Sequence, residues 1–160
     1  MYMLQNMNYD FDLHHTDFES AGPEDTFALG AAFARQAKPG DVYCLDGDLG
    51  AGKTVFAQGF ASGLGVRDAV NSPTFTIVNV YEGGRLPLYH FDLYRIEEPE
   101  EMEEIGYEDF FYGEGVCLVE WSCLVPEIIP EGAVRIRIER SGRAEETDVR
   151  LIRVGQPEKG

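Results

Sequence analysis

Apolar and polar positions follow two periods along this chain, and their order predicts alternating helices and strands. From Pro23, "PEDTFALGAAFARQAKPG" places a proline where a first helical turn tolerates it, sets acids beside the positive end, and stops at Pro39-Gly40. That predicts a helix of about four turns. "DVYCLDG" reads as a buried strand, and "TVFAQGFASGLG" as a second helix with Phe56 and Phe60 on one face and Gly65 as its C-cap. "TFTIVNVYEGGRLPLYHFDLYR" holds two strand-like runs around Gly83-Gly84-Arg85, a hairpin signal that makes the sheet mixed. In the second run the two-residue period puts His90 and Asp92 on one face and Tyr89, Phe91 and Leu93 on the other.

Further on, "EEPEEMEEIGYEDFF" starts as a run of acids, read as a solvated face with a helix in its middle. "VCLVE" is continuously apolar, as expected of a strand buried on both faces whose last residue, Glu120, emerges at the sheet's edge. "VRIRIER" alternates, Val134, Ile136 and Ile138 inward against Arg135, Arg137 and Glu139 outward, and "SGR" turns it toward "DVRLIRV". This predicts a half-exposed hairpin at the sheet edge. Residues 1–20 alternate only weakly, and are expected to form an added edge strand or an ordered arm.

Composition narrows this to one α/β domain over residues 1–160, because that length with 44% hydrophobic content supports a single core. The 29 acidic against 13 basic residues give a net charge of −16, which repels nucleic acid phosphates and anionic lipid alike. Direct binding of RNA, DNA or membrane is therefore disfavoured. The N-terminus has no basic segment leading into an apolar run, and nothing approaches the roughly 20 apolar residues of a membrane span, so a cytoplasmic, soluble protein is expected. Cys44, Cys117 and Cys123 form an odd set without zinc-site spacing, in keeping with reduced thiols rather than a disulfide framework.

The candidate chemistry lies between the first strand and the second helix. Gly47, Gly52, Lys53 and Thr54 complete the pattern G-x-x-x-x-G-K-[ST], with Gly50 inside it. Glycines let the backbone curl so that successive N–H groups point inward, forming an anion nest at a helix's positive end. Asp48, Leu49, Gly50, Ala51, Gly52, Lys53, Thr54 and Val55 are accordingly the candidates to hold the phosphates of a nucleoside triphosphate. Lys53 supplies a point charge at the β and γ phosphates, and the Thr54 hydroxyl is placed to ligate Mg²⁺. The fold class expected is a single-domain P-loop NTPase, a mixed central sheet flanked by helices with antiparallel hairpins.

Hydrolysis also needs a carboxylate near the metal or the attacking water, usually from the end of a neighbouring buried strand. Glu120 fits that slot, as catalytic group and metal ligand, and Asp92 is the second candidate. His90 reads as a structural hydrogen-bonder, and Trp121 as a side chain that could stack on the nucleotide. "NSPTF" offers Ser72 and Thr74 as hydroxyls that could sense the γ phosphate. Thr26, in the "EDT" opening the first helix, is a further position that could lie near the base.

Taken together, "PGDVYCLDGDLGAGKTVFAQGFASGLG", "SPTFTIVNVYEGG", "HFDLYRI" and "VEW", in that order, resemble the TsaE (YjeE) family of small bacterial P-loop ATPases from about Glu24 to about Ile138. The resemblance implies an ATPase required for N6-threonylcarbamoyladenosine in tRNAs reading codons that begin with A. It also implies that the TsaD–TsaB transferase pair is the partner, with tRNA met only indirectly. Carried over, Lys53 and Thr54 match the P-loop lysine and magnesium-binding threonine, and Asp92 the aspartate of H-x-D-x-Y-R. Glu120 and Trp121 match the E-W pair, and Ser72 and Thr74 the S-P-T-F segment.

Members commonly carry a second acid after that pair, whereas this chain reads "EWSC", with Cys123 at that position. An acidic protein whose partners hold the RNA has no need of a basic face. A small-molecule kinase would use the same loop but usually needs lid arginines, and residues 97–115 are instead rich in acids. A GTPase would need N-K-x-D, which does not occur. A nucleotide-switched binding module with negligible turnover is the remaining alternative.

Overall fold

A computed structural model describes residues 2–3, 17–47, 52–70, 77–140 and 149–155. Its centre is β3 (Val42–Gly47), parallel to β6 (Val116–Glu120) on one side and to β7 (Val134–Arg140) on the other. Beyond β6 lies β5 (Leu88–Asp92), parallel to it, and then β4 (Val78–Tyr81), antiparallel as the hairpin signal predicts. Beyond β7 lie β8 (Arg150–Gly155), β2 (Phe18–Ser20) and the two-residue β1 (Tyr2–Met3). Among the described residues the sheet therefore has eight strands, in the order β1-β2-β8-β7-β3-β6-β5-β4.

That order corrects one expectation. The β7–β8 hairpin is interior, because β2 adds to β8 through Phe18 opposite Ile152 and so takes the edge position from it. The inward and outward alternation of β7 holds, with Val134, Ile136 and Ile138 buried.

One face of the sheet carries α1 (Pro23–Gln36) and α2 (Lys53–Leu64), whose Leu29, Phe33, Phe56 and Phe60 share a core with Tyr43, Leu45, Ile136 and Ile138. Each fully buried aromatic or leucine here stabilises the fold by about 1.5–3 kcal/mol. The helices touch through backbone, not only side chains. A Cβ on Gly30 would stand 2.3 Å from the Phe56 carbonyl oxygen, and one on Gly63 2.4 Å from that of Ala31. α2 ends at Gly65, at φ 88, where the chain takes the left-handed turn that a Cβ disfavours.

The opposite face is covered by α3 (Glu100–Glu104) and α4 (Tyr107–Phe111), which bring Met102 and Phe111 onto Val42, Cys44, Phe91, Cys117 and Val119. The acidic stretch thus forms two short helices instead of one, because Gly106 at φ 70 breaks the helical path between them. No helix among the described residues is long and apolar enough to cross a membrane.

Cys44 and Cys117 lie in this second core, where burial pushes the Cys44 thiol up to about 11 and drives the Cys117 thiol in the same direction. Cys123 is exposed. A thiol reagent at neutral pH is expected to modify Cys123 rapidly and to reach the other two only after denaturation. Two fast equivalents in the folded chain, measured by mass spectrometry, would contradict this packing.

Candidate functional site

The parallel strands β3, β5 and β6 all run toward one edge of the sheet, and their last residues gather there beside the first turn of α2. Open α/β sheets place ligands at this carboxyl edge. Asp92 ends β5 opposite Glu120, which ends β6, and Glu120 in turn lies opposite Leu45 of β3, one residue before Asp46. Asp92 and Glu120 therefore share one face at this edge, while Asp46, where strand β3 feeds the glycine loop, turns to the other face and meets Ser122.

Glu120 differs from its expected setting. It does not emerge into solvent but is only 4% exposed, because β3 and β5 flank it and side chains cover its end. The imidazole of His90 meets its carboxylate with Nε2 to Oε2 at 2.7 Å, and since a carboxylate only accepts, Nε2 carries the donated hydrogen. The other oxygen, Oε1, lies 3.9 Å from Lys53 Nζ, an ion pair at long range. His90 is thus a hydrogen-bonder as read from sequence, and its Nδ1 is buried with no partner among the described residues.

Lys53 opens α2 and is itself buried, an unusual place for an ammonium unless paired. Its second neighbour is Trp121, whose ring centre lies 4.6 Å from Nζ, a cation–π contact. Tyr94 lies against the same indole at 5.0 Å between ring centres. Trp121 has φ 59, the one positive φ outside glycine among the described residues, a conformation that costs an L-residue about 1–2 kcal/mol. Thr54 is exposed beside Lys53, and Val55 is half-buried.

Asp92 accepts a hydrogen bond from the Tyr94 backbone N–H at 3.0 Å. Partial burial pushes its carboxyl up, the neighbouring Glu120 adds to this, and the Tyr94 bond pulls it back. Asp46 is likewise raised by burial and drawn back by the Ser122 hydroxyl and the Arg135 charge. Asp46 and Ser122 do not stand out in the sequence. The usable signal was a lone acid directly after the apolar run of β3. Thr26 is buried with its hydroxyl 2.7 Å from that of Ser20, and its methyl lies 3.9 Å from where a Gly52 Cβ would stand. The N-terminus of α1 therefore sits beside that of α2.

The described residues fit a nucleotide with a divalent ion. α2 has Gly52 at its N-cap, no side-chain cap and no acid in its first turn, so its positive end is presented without a protein counter-charge of its own. No group of three or more His, Cys, Asp or Glu that could hold a metal occurs among the described residues. One carboxylate with one hydroxyl suits Mg²⁺, which is usually bound by one or two carboxylates plus substrate phosphates. Asp48, Leu49, Gly50, Ala51, Ser72 and Thr74 lie outside the described residues.

Comparison with known proteins finds one described family and a similar solved fold. A family model described as threonylcarbamoyl adenosine biosynthesis protein TsaE matches residues 20–149. The tRNA threonylcarbamoyladenosine biosynthesis protein TsaE of Bacillus subtilis is 49% identical over 138 residues, covering 86% of this chain and 85% of that one. The protein of the same description from Treponema pallidum is 43% identical over 119 residues, covering 74% and 87%. Among solved structures, the crystal structure of Bacillus subtilis YdiB superposes with a TM-score of 0.71 at 43% identity, covering 87% of this chain and 83% of that chain.

Proposed function

Because the chain belongs to the TsaE family of threonylcarbamoyl adenosine biosynthesis proteins and so serves tRNA threonylcarbamoyladenosine biosynthesis, we propose that it is the ATP-binding and ATP-hydrolysing subunit of that process. The observation that carries this reading is the meeting of Lys53, at the start of α2, with Glu120, at the buried end of β6. Lys53 is held among Glu120 and Trp121 at the positive end of α2, where phosphate oxygens are favoured. Glu120, oriented by His90, is the group that holds the metal or the attacking water. Thr54 and Glu120 would hold Mg²⁺, which when bound neutralises charge on the phosphate oxygens.

Asp92, beside Glu120 at the mouth, orders the water or the metal shell. Trp121 shields the lysine side of the site, and the loop residues Asp48 to Val55 cradle the phosphates with Ser72 and Thr74 as γ-phosphate sensors. The TsaD–TsaB pair is the proposed partner and the holder of the tRNA, in keeping with this chain's net charge of −16. The setting is the cytoplasm.

The test is a reconstitution of the full chain with TsaD–TsaB, ATP, Mg²⁺ and unmodified tRNA. ADP and free phosphate are expected to accumulate, and modification to continue past one turnover only when this chain is present. Equal multiple turnover without the chain would sink the proposal, and so would a phosphorylated metabolite as the product. Nucleotide binding with no hydrolysis in the complete system would favour a nucleotide-switched binding module instead.

A further inference from the structure

Trp121 is the one non-glycine residue among those described with a positive φ, and the Lys53 ammonium lies over its ring. Such a residue persists where its surroundings over-determine it. On its N-terminal side the constraint is the end of β6: the Glu120 carbonyl accepts from the Leu93 N–H at 3.1 Å, and the Glu120 carboxylate is bound by His90. On its C-terminal side a tight turn follows, Ser122–Leu124, in which Leu124 N–H donates to the Trp121 carbonyl and Val125 N–H to that of Ser122, both at 3.1 Å.

That turn is fastened by one side chain. Ser122 is fully buried, and its hydroxyl donates toward both oxygens of Asp46, at 3.3 Å and 3.2 Å. Asp46 belongs to β3 and precedes the first glycine of the phosphate loop, opposite Arg137 of β7. The bond therefore ties the exit of β6 to the strand that feeds the loop. It closes a ring from β3, through the turn and Trp121, to Lys53 on α2.

We infer that the Ser122–Asp46 hydrogen bond is the anchor that keeps Trp121 left-handed and its indole over Lys53, making Ser122 and Asp46 positioning residues for the phosphate-binding lysine. The enzymatic part of this inference rests on the proposed ATPase reading; the structural part does not. With the anchor cut, the backbone at Trp121 relaxes toward ordinary φ and the indole leaves both Lys53 and Tyr94. Lys53 then keeps Glu120 as its partner but loses the wall that fixes its rotamer.

The test uses the full chain and its only tryptophan as reporter. Ser122→Ala is expected to change the Trp121 fluorescence and near-ultraviolet circular dichroism, and to weaken ATP affinity about five- to tenfold, the size of a lost cation–π contact. Ser122→Thr, which keeps the hydroxyl, restores both. Asp46→Ala is expected to reproduce the Ser122→Ala phenotype, and the double variant to be no worse than either single one. A folded Ser122→Ala protein with an unchanged tryptophan spectrum and unchanged affinity overturns the inference, as do additive losses in the double variant. Should Ser122→Ala fail to fold, Asp46→Ala read against Asp46→Asn, which keeps an acceptor for the hydroxyl, decides it by the same spectrum. The spectrum and the double-mutant comparison need no turnover, so a wild-type chain that fails to hydrolyse ATP would overturn the proposed function and leave these readings to judge the anchor.

Discussion

Lys53→Ala is expected to lower ATP affinity and partner-dependent turnover together, by on the order of 100-fold or more, as when a preorganised charge-stabilising group is removed from a catalytic site. The ammonium is the cation aimed at the mouth from the positive end of α2, and it is buried against Glu120 and Trp121. Alanine removes that charge and leaves a buried carboxylate with His90 as its remaining partner. Glu120→Gln should behave differently. It keeps the shape and the lysine, so nucleotide binding stays within a few-fold while hydrolysis is lost. Binding titrations beside phosphate release separate the two effects. Full multiple-turnover tRNA modification by Lys53→Ala with the partner pair would refute the assigned role.

Gly59→Ala is expected to be the most damaging single-methyl change in the frame that carries the site. Its Cβ would lie 2.1 Å from the Phe27 carbonyl oxygen, 2.8 Å from that residue's carbonyl carbon and 2.9 Å from its Cα. All three are backbone atoms of α1, so no side chain can turn aside to make room. Overpacking of this kind costs about 3 kcal/mol, against about 1 kcal/mol that alanine gains over glycine inside a helix. The clash wins, leaving a net loss of about 2 kcal/mol and a melting midpoint lowered by about 6 °C for a domain of this size.

Relief comes by moving α1 away from α2, which carries Thr26 away from Gly52 at the start of α2. Nucleotide affinity should therefore fall with stability. Gly132→Ala, where nothing lies within 4 Å of the added methyl, is the control and should melt with the wild type. A Gly59→Ala chain as stable as that control would refute the close helix contact.

Much of the site was legible because its signals are local. A lysine and a threonine directly after a glycine loop, between an apolar run and a helix capped by Gly65, are facts about neighbours in sequence, and α2 does begin at Lys53 and end at that cap. The two-residue period of β5 likewise placed His90 and Asp92 on one face, and both are found beside Glu120. The setting of Glu120 was misread, because an acid closing an apolar strand gives no sign of what covers it. Its cover comes from residues 30 and 67 positions away, His90 and Lys53. Asp46 and Ser122 meet across 76 positions, and neither carries a pattern that points to the other.

Residue type and period along this chain, acting over one or two helical turns or one strand, determined most of its elements and the face each one buries, and placed a glycine-loop pattern directly ahead of α2. Only the tertiary structure decided which strands are neighbours, and with it that β2 covers the β7–β8 hairpin, that His90 and Lys53 share Glu120, and that Ser122 hydrogen-bonds Asp46 on the strand entering the loop. The physical reason is that periodicity encodes an orientation relative to the core and carries no address. The partner of a buried charge is set by sheet order and helix packing, which depend on the whole core at once.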